Sequence, residues 1–247
     1  MKNFFASLAL VGLIIGTPAF AQDNDNDPNT GSRLGNRLKS GGAVSEQEAI
    51  YAAQRWATCV YSKRDRTVER FLTTLDLTDQ DNAAQLVYKK VDCEIFLAGN
   101  NSEGMLIGNS YPDDRGLLAE AGLRDEGYLK PSVPAQPVLA MAEGYNRAWF
   151  RMTGRSDTVD AMAICIAETQ PSLVVNLLRT DRSSAEEGAA FQAMSAYLGP
   201  CLREGATLAA NAFQLRNALA DAYYQRIFGQ NEQITIAPDT SSSSPAG

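Results

Sequence analysis

The chain has 247 residues, no histidine, four cysteines and a formal net charge of −7. Without histidine, Ser–His–Asp and Cys–His catalysis, histidine-ligated zinc and haem held through histidine are excluded. An acidic chain with no basic cluster argues against nucleic acid, where phosphate contacts supply most of the binding, and against anionic membrane surfaces.

Residues 1–21 read as a secretory signal peptide. Lys2 supplies the positive end, Phe4 to Ile15 an apolar run too short to span a bilayer, and Ala19-Phe20-Ala21 a small-x-small cleavage site. No later stretch is long and apolar enough for a membrane helix. The mature chain is therefore expected to be periplasmic or secreted, with no membrane insertion after signal removal. Residues 22–42 read as a disordered polar tail. Asp23, Asp25 and Asp27 look like the start of a calcium loop, but Pro28 stands where the turn glycine belongs and Leu34 where the closing Glu belongs. No metal site and no cofactor are assigned.

Residues 43–124 read as a first helical repeat. Ser45-Glu46-Gln47-Glu48 is a capping box. The helix it opens places Ile50, Ala53, Ala57, Val60 and Tyr61 on one face. A second helix carries Val68, Phe71, Leu72 and Leu75. A third, after Thr78, carries Ala84, Val87, Tyr88, Val91 and Ile95, with Cys93 near its end. The stretch Leu97–Pro112 breaks the pattern with Gly99, Gly104, Gly108 and Pro112. A short helix resumes at Asp113 and runs through Ala121.

Residues 125–137 read as a Pro-rich linker, stiff and extended where Pro131, Pro134 and Pro137 fall. Residues 138–228 read as a second helical repeat. Met141, Tyr145, Trp149 and Met152 predict a helix closing near Gly154; Val159, Met162, Cys165 and Ile166 predict the next. After Pro171, Leu173, Val174, Leu177 and Leu178 repeat the pattern of Val68, Phe71 and Leu72. Ser184 to Glu187 is a second capping box, opening a helix with Phe191, Met194, Tyr197 and Leu198 that Gly199-Pro200 stops. Cys201 is expected to begin the last and longest helix, with Leu208, Ala212, Leu215, Leu219, Ala222 and Ile227 on one stripe. Residues 229–247 read as a disordered, Ser-rich tail.

The halves echo each other. Ala57-Thr58-Cys59-Val60 resembles Ala163-Ile164-Cys165-Ile166, and each is followed about 35 residues on by Cys93 or Cys201. Arg115-x-x-Leu118-Ala119-Glu120-Ala121 matches Arg216-x-x-Leu219-Ala220-Asp221-Ala222. The reading is an all-α, tandemly duplicated helical bundle, each half pinned by one disulfide. In an oxidising compartment an even cysteine count favours disulfides. Four cysteines allow three pairings, and symmetry does not choose among them. Locality favours Cys59–Cys93 and Cys165–Cys201.

The catalytic option left is paired carboxylates flanking a sugar bond, one with its pKa raised by an apolar pocket. Glu103 and Glu204 occupy matching positions, as do Glu120 and Asp221. Their structural reading has Glu204 and Asp221 as solvated helix-face charges, with Glu120 and Asp221 helping to position Arg115 and Arg216. Asp113-Asp114 and Glu186-Glu187 read as helix-start devices, where negative charge suits the macrodipole. Trp56, Tyr61, Tyr145, Trp149, Phe150, Tyr223 and Tyr224 are candidates for a ligand groove, but aromatics at helical spacing more often form core.

No residue is assigned a catalytic role. Between the second cysteine and the Glu-Gly pair, the first half has nine residues and the second has two. Loops carry function more often than scaffold does, so the 97–112 loop is the expected contact surface, with Asn100, Asn101, Glu103, Asn109 and Tyr111. The expected function is an exported binding module whose partner is an unknown protein, peptide or envelope component, and not nucleic acid. One alternative is an inhibitor or immunity-type protein for an envelope hydrolase. A second is a carboxylate-dependent glycoside hydrolase.

Overall fold

The structure is a computed structural model that describes residues 46–89, 92–93, 111–130, 134–137, 139, 142–203 and 205–229. The signal peptide, both tails, the Ser45 cap, Glu204 and most of the 97–112 loop lie outside these residues. Seven α-helices and three 3₁₀ turns are found among them, with no β-strand. The helices are α1 (Glu46–Thr73), α2 (Leu77–Val87), α3 (Tyr111–Asp125), α4 (Asp157–Thr169), α5 (Pro171–Arg179), α6 (Ala185–Leu198) and α7 (Ala212–Phe228).

α1 merges the first two expected helices. The merge has a break at Arg64, whose φ of −145° and ψ of 36° are not helical. On its N-terminal side Ala53, Trp56, Ala57, Val60 and Tyr61 are buried, and on its C-terminal side Val68, Phe71 and Leu72. α2 starts at Asp76, whose carboxylate accepts the Asp79 amide at 2.8 Å. It ends at Val87. Tyr88 and Lys89 are already past its end, so Cys93 sits beyond the helix rather than near its end, while Val91 and Ile95 lie outside the described residues.

α3 and α7 are the central pair. Every described residue from Asp114 to Leu123 and from Leu215 to Gln225 is buried. Close approach needs glycine on α3. A Cβ on Gly116 would lie 2.3 Å from the Asn217 Cβ, and one on Gly122 would lie 2.6 Å from the Tyr61 ring. Thus Gly116 admits α7 on one side and Gly122 admits α1 on the other. α1 packs on α3, and α4 packs on α7.

In the second half, the expected helix through Met141 and Met152 is instead two 3₁₀ turns, Ala142–Tyr145 and Ala148–Met152. The Tyr145 hydroxyl accepts the Leu139 amide at 2.8 Å. α4 is capped by Ser156 and buried on all sides from Val159 onward. Pro171 opens α5, where a missing amide costs nothing, and the chain bends by 103° between α4 and α5. α6 is capped by Ser184 as expected, and only Glu187 and Met194 on it are buried. The last helix does not begin at Cys201. That residue ends a 3₁₀ turn, Gly205 takes a φ of +74°, and α7 starts only after Asn211. Asn211 and Gln214 form a reciprocal capping box. α1, not α7, is the longest helix.

Both disulfides are present: Cys59–Cys93 and Cys165–Cys201, spanning 34 and 36 residues with Cα–Cα distances of 5.7 and 5.6 Å. Each closes a loop of a size that stabilises the fold by about 3–4 kcal/mol in the chain-entropy model. One hydrophobic core contains residues of both halves, from Ala53 to Tyr224. All seven aromatics considered for a groove are buried in it.

The linker is fastened to the second half. The Gln136 amide donates to the Glu168 carbonyl at 2.7 Å. Arg226 reaches the Pro134 carbonyl, and Arg179 the Leu129 carbonyl at 2.7 Å.

Candidate functional site

Asn100, Asn101, Glu103 and Asn109 lie outside the described residues, as does Glu204; Tyr111 opens α3. The structure does locate the other acids. Glu120 and Asp221 sit in the core between α3 and α7, 1% and 0% exposed. The solvated reading of Asp221 is thereby corrected: α7 is enclosed on every side over this stretch, leaving no water to face.

A buried carboxylate requires paired, hydrogen-bonded cations. Both acids have them, and the pairing is crosswise. Arg115 Nε donates to Asp221 at 2.7 Å. Arg216 donates to both Glu120 oxygens, at 2.8 and 3.1 Å. Each arginine therefore meets the acid on the other helix, and the order of the pairs runs α3 and α7 in opposite senses. The spacing echo in the sequence links these four residues but does not show that the partners cross.

Each arginine has a second task. The last carbonyls of a helix lack partners and carry partial negative charge. Arg115 donates to the Phe71 carbonyl at 3.0 Å and to that of Leu72, at the end of α1. Arg216 donates to the Leu178 and Thr180 carbonyls at 3.3 and 2.9 Å, at the end of α5. Arg226 does the same for α4 through the Ala167 and Glu168 carbonyls. One guanidinium thus satisfies a helix end and a buried acid together, which its fork of five donors permits.

Further arginines complete the network. Arg155 bridges Asp160 at 2.7 Å and Asp221 at 2.6 Å. Arg182 and Arg124 join Glu120 at 2.5 and 2.9 Å, and Arg216 also holds Glu187 at 2.8 Å. Burial pushes the Glu120 carboxyl up, but Arg182, Arg216 and Arg124 outweigh it and hold the pKa down to about 2. Asp221 is lowered in the same way, burial being overcome by Arg115 and Arg155. Asp160 and Asp113 shift upward, because burial there exceeds the help from Arg155 and from Asn217 respectively.

Glu187 departs from a simple capping box. Its amide donates to Ser184 Oγ at 3.1 Å, but its carboxylate accepts from Ser183 rather than Ser184. The same carboxylate reaches Arg216, so this residue links a helix start to the core. Asp114 accepts from the Tyr88 hydroxyl at 3.0 Å. A separate pair, Arg147 and Glu168, is buried at 2.8 Å. Sequence reasoning missed Arg124, Arg155 and Arg182. The one available signal was three arginines flanking segments that were otherwise apolar.

Chemically this network is a lock. Glu120 and Asp221, held ionised by their arginines, have no proton to give at neutral pH, and guanidinium does not act as a base. Among the described residues no cluster of three metal-ligating side chains occurs, and no single helix is long and apolar enough to cross a membrane. No protein-family model, curated protein or solved structure matches the chain. The two disulfides fit an oxidising or extracellular compartment.

Proposed function

We propose that this protein is a periplasmic or secreted interaction module without catalytic machinery, built by tandem duplication, whose contact surface is the 97–112 loop. One observation carries the reading: the acids nominated for catalysis that can be placed, Glu120 and Asp221, are spent on buried arginines. The crosswise pairs support the duplication. Residues matched by spacing, Arg115 with Arg216 and Glu120 with Asp221, exchange partners as a two-fold relation between halves requires. The near-equal disulfide spans agree. Export rests on the signal-like residues 1–21 together with the oxidised cysteines.

The test is affinity capture from an envelope extract, using the mature chain and a variant lacking residues 97–103. The reading expects a specific partner held by the full chain and released by the deletion. Equal capture by both would remove the loop from the proposal. If the captured partner is a hydrolase and loses activity on mixing, the inhibitor alternative takes over. Direct cleavage of a glycan by the purified chain would replace both with the hydrolase reading.

A further inference from the structure

The two disulfides stand in different settings. Cys165 lies within α4 and is 0% exposed, and Cys201 is 4% exposed. Cys93 is buried as well, but its partner Cys59 is only partly so, on α1 beside the exposed Thr58. Thiol–disulfide exchange needs a thiolate to reach a sulfur, so access decides which bridge reacts. Of the four cysteines, only Cys59 is not buried.

Charge points the same way. Residues four apart on a helix share a face. One turn either side of Cys59 lie Arg55 and Lys63, both exposed. Cations beside a cysteine favour the thiolate form, and so favour exchange at that sulfur. The same positions around Cys165 hold Ala161 and Thr169, both buried and uncharged.

α1 and α2 have other fastenings besides this bridge. Gln80 Nε2 donates to the Met152 carbonyl at 2.6 Å, and Arg151 to the Leu75 carbonyl at 2.5 Å. Arg70 pairs with Asp79 at 2.6 Å. Tyr88 stacks on Trp56 with ring centroids 5.9 Å apart and donates to Asp114 at 3.0 Å. These contacts hold α2 in place when the bridge opens.

We propose that Cys59–Cys93 is a redox-sensitive cross-link, opened by a dithiol, and that Cys165–Cys201 is the permanent one. One thiolate of the dithiol attacks Cys59 Sγ. The Cys59–Cys93 bond breaks, and Cys93 leaves as a thiolate and takes up a proton. The reductant's second thiolate then attacks the reductant's own sulfur in the mixed disulfide. Cys59 leaves as a thiolate and is protonated in turn. Two electrons and two protons pass to the cysteines, and the dithiol becomes a disulfide. The proposal is independent of the 97–112 loop and of any partner it holds.

The test is a time course of reduction of the mature chain with dithiothreitol. Samples are quenched with iodoacetamide, mapped by peptide mass spectrometry and followed by far-UV circular dichroism. Cys59 and Cys93 are expected to be alkylated roughly ten-fold faster than Cys165 and Cys201, with the helical signal retained. Arg55→Gln combined with Lys63→Gln should slow that first step roughly three-fold and leave Cys165–Cys201 unchanged. Reduction of both bridges at one rate, earlier opening of Cys165–Cys201, loss of the helical signal as Cys59 and Cys93 appear, or a rate indifferent to the two cations would overturn the proposal.

Discussion

At the residue scale, Glu120 carries the most. Three arginines converge on it, so replacing it leaves buried positive charge without its partner. Glu120→Gln should destabilise the fold by about 3–5 kcal/mol, the usual cost of breaking a buried ion pair, read from urea midpoints. The pH dependence has a definite sign. A carboxyl lowered from 4.5 to about 2 gives stability that is complete above its unfolded pKa and is lost as pH falls toward the folded one. Acid unfolding between pH 4.5 and 2 should therefore flatten in Glu120→Gln. Asp160 and Asp113, shifted upward, act in the opposite sense, losing stability as pH rises through their folded pKa values. Ser183 makes a smaller, separable prediction. Its φ of +60° is a left-handed conformation that glycine adopts at little cost. Its amide, not its side chain, holds Glu187. Ser183→Gly should raise stability by about 1 kcal/mol.

At the element scale, two helices predict opposite outcomes for one substitution. On α3, Gly116→Ala would drive a methyl into Asn217, including its backbone at 2.5 Å. The central helix pair must separate, and a loss of about 2–3 kcal/mol or more is expected. On α6, Gly188 has nothing within 4 Å of an added Cβ. Gly188→Ala should gain up to about 1 kcal/mol from helix propensity alone. Thermal melts of the two variants check this directly.

The helices also mark what can be read from a chain and what cannot. The buried faces of α1 and α4 were legible because their apolar residues recur at three- and four-residue steps. The same step misled at Tyr145, Trp149 and Met152, where the backbone forms 3₁₀ turns and Tyr145 bonds to Leu139 rather than continuing a helix. It misled again after Cys201, since Leu208 fits the stripe but Asn211 caps a later start. Periodicity places a side chain on a face and says nothing of what lies opposite.

For the whole molecule, the cysteine pairing was legible because short loops close at lower entropic cost than long ones. The ionic core was not. Arg115 and Asp221 are 106 residues apart, and Arg216 and Glu120 are 96 apart. Their spacing echo named the four residues, but only the packing of α3 against α7 shows that partners cross. These crossed pairs join the two halves. The most direct measurement is a double-mutant cycle on stability with Arg115→Gln and Asp221→Asn, repeated with Arg216→Gln and Glu120→Gln. Coupling of about 1–3 kcal/mol is expected within each crossed pair. Additivity within about 0.3–0.5 kcal/mol in both cycles would contradict it.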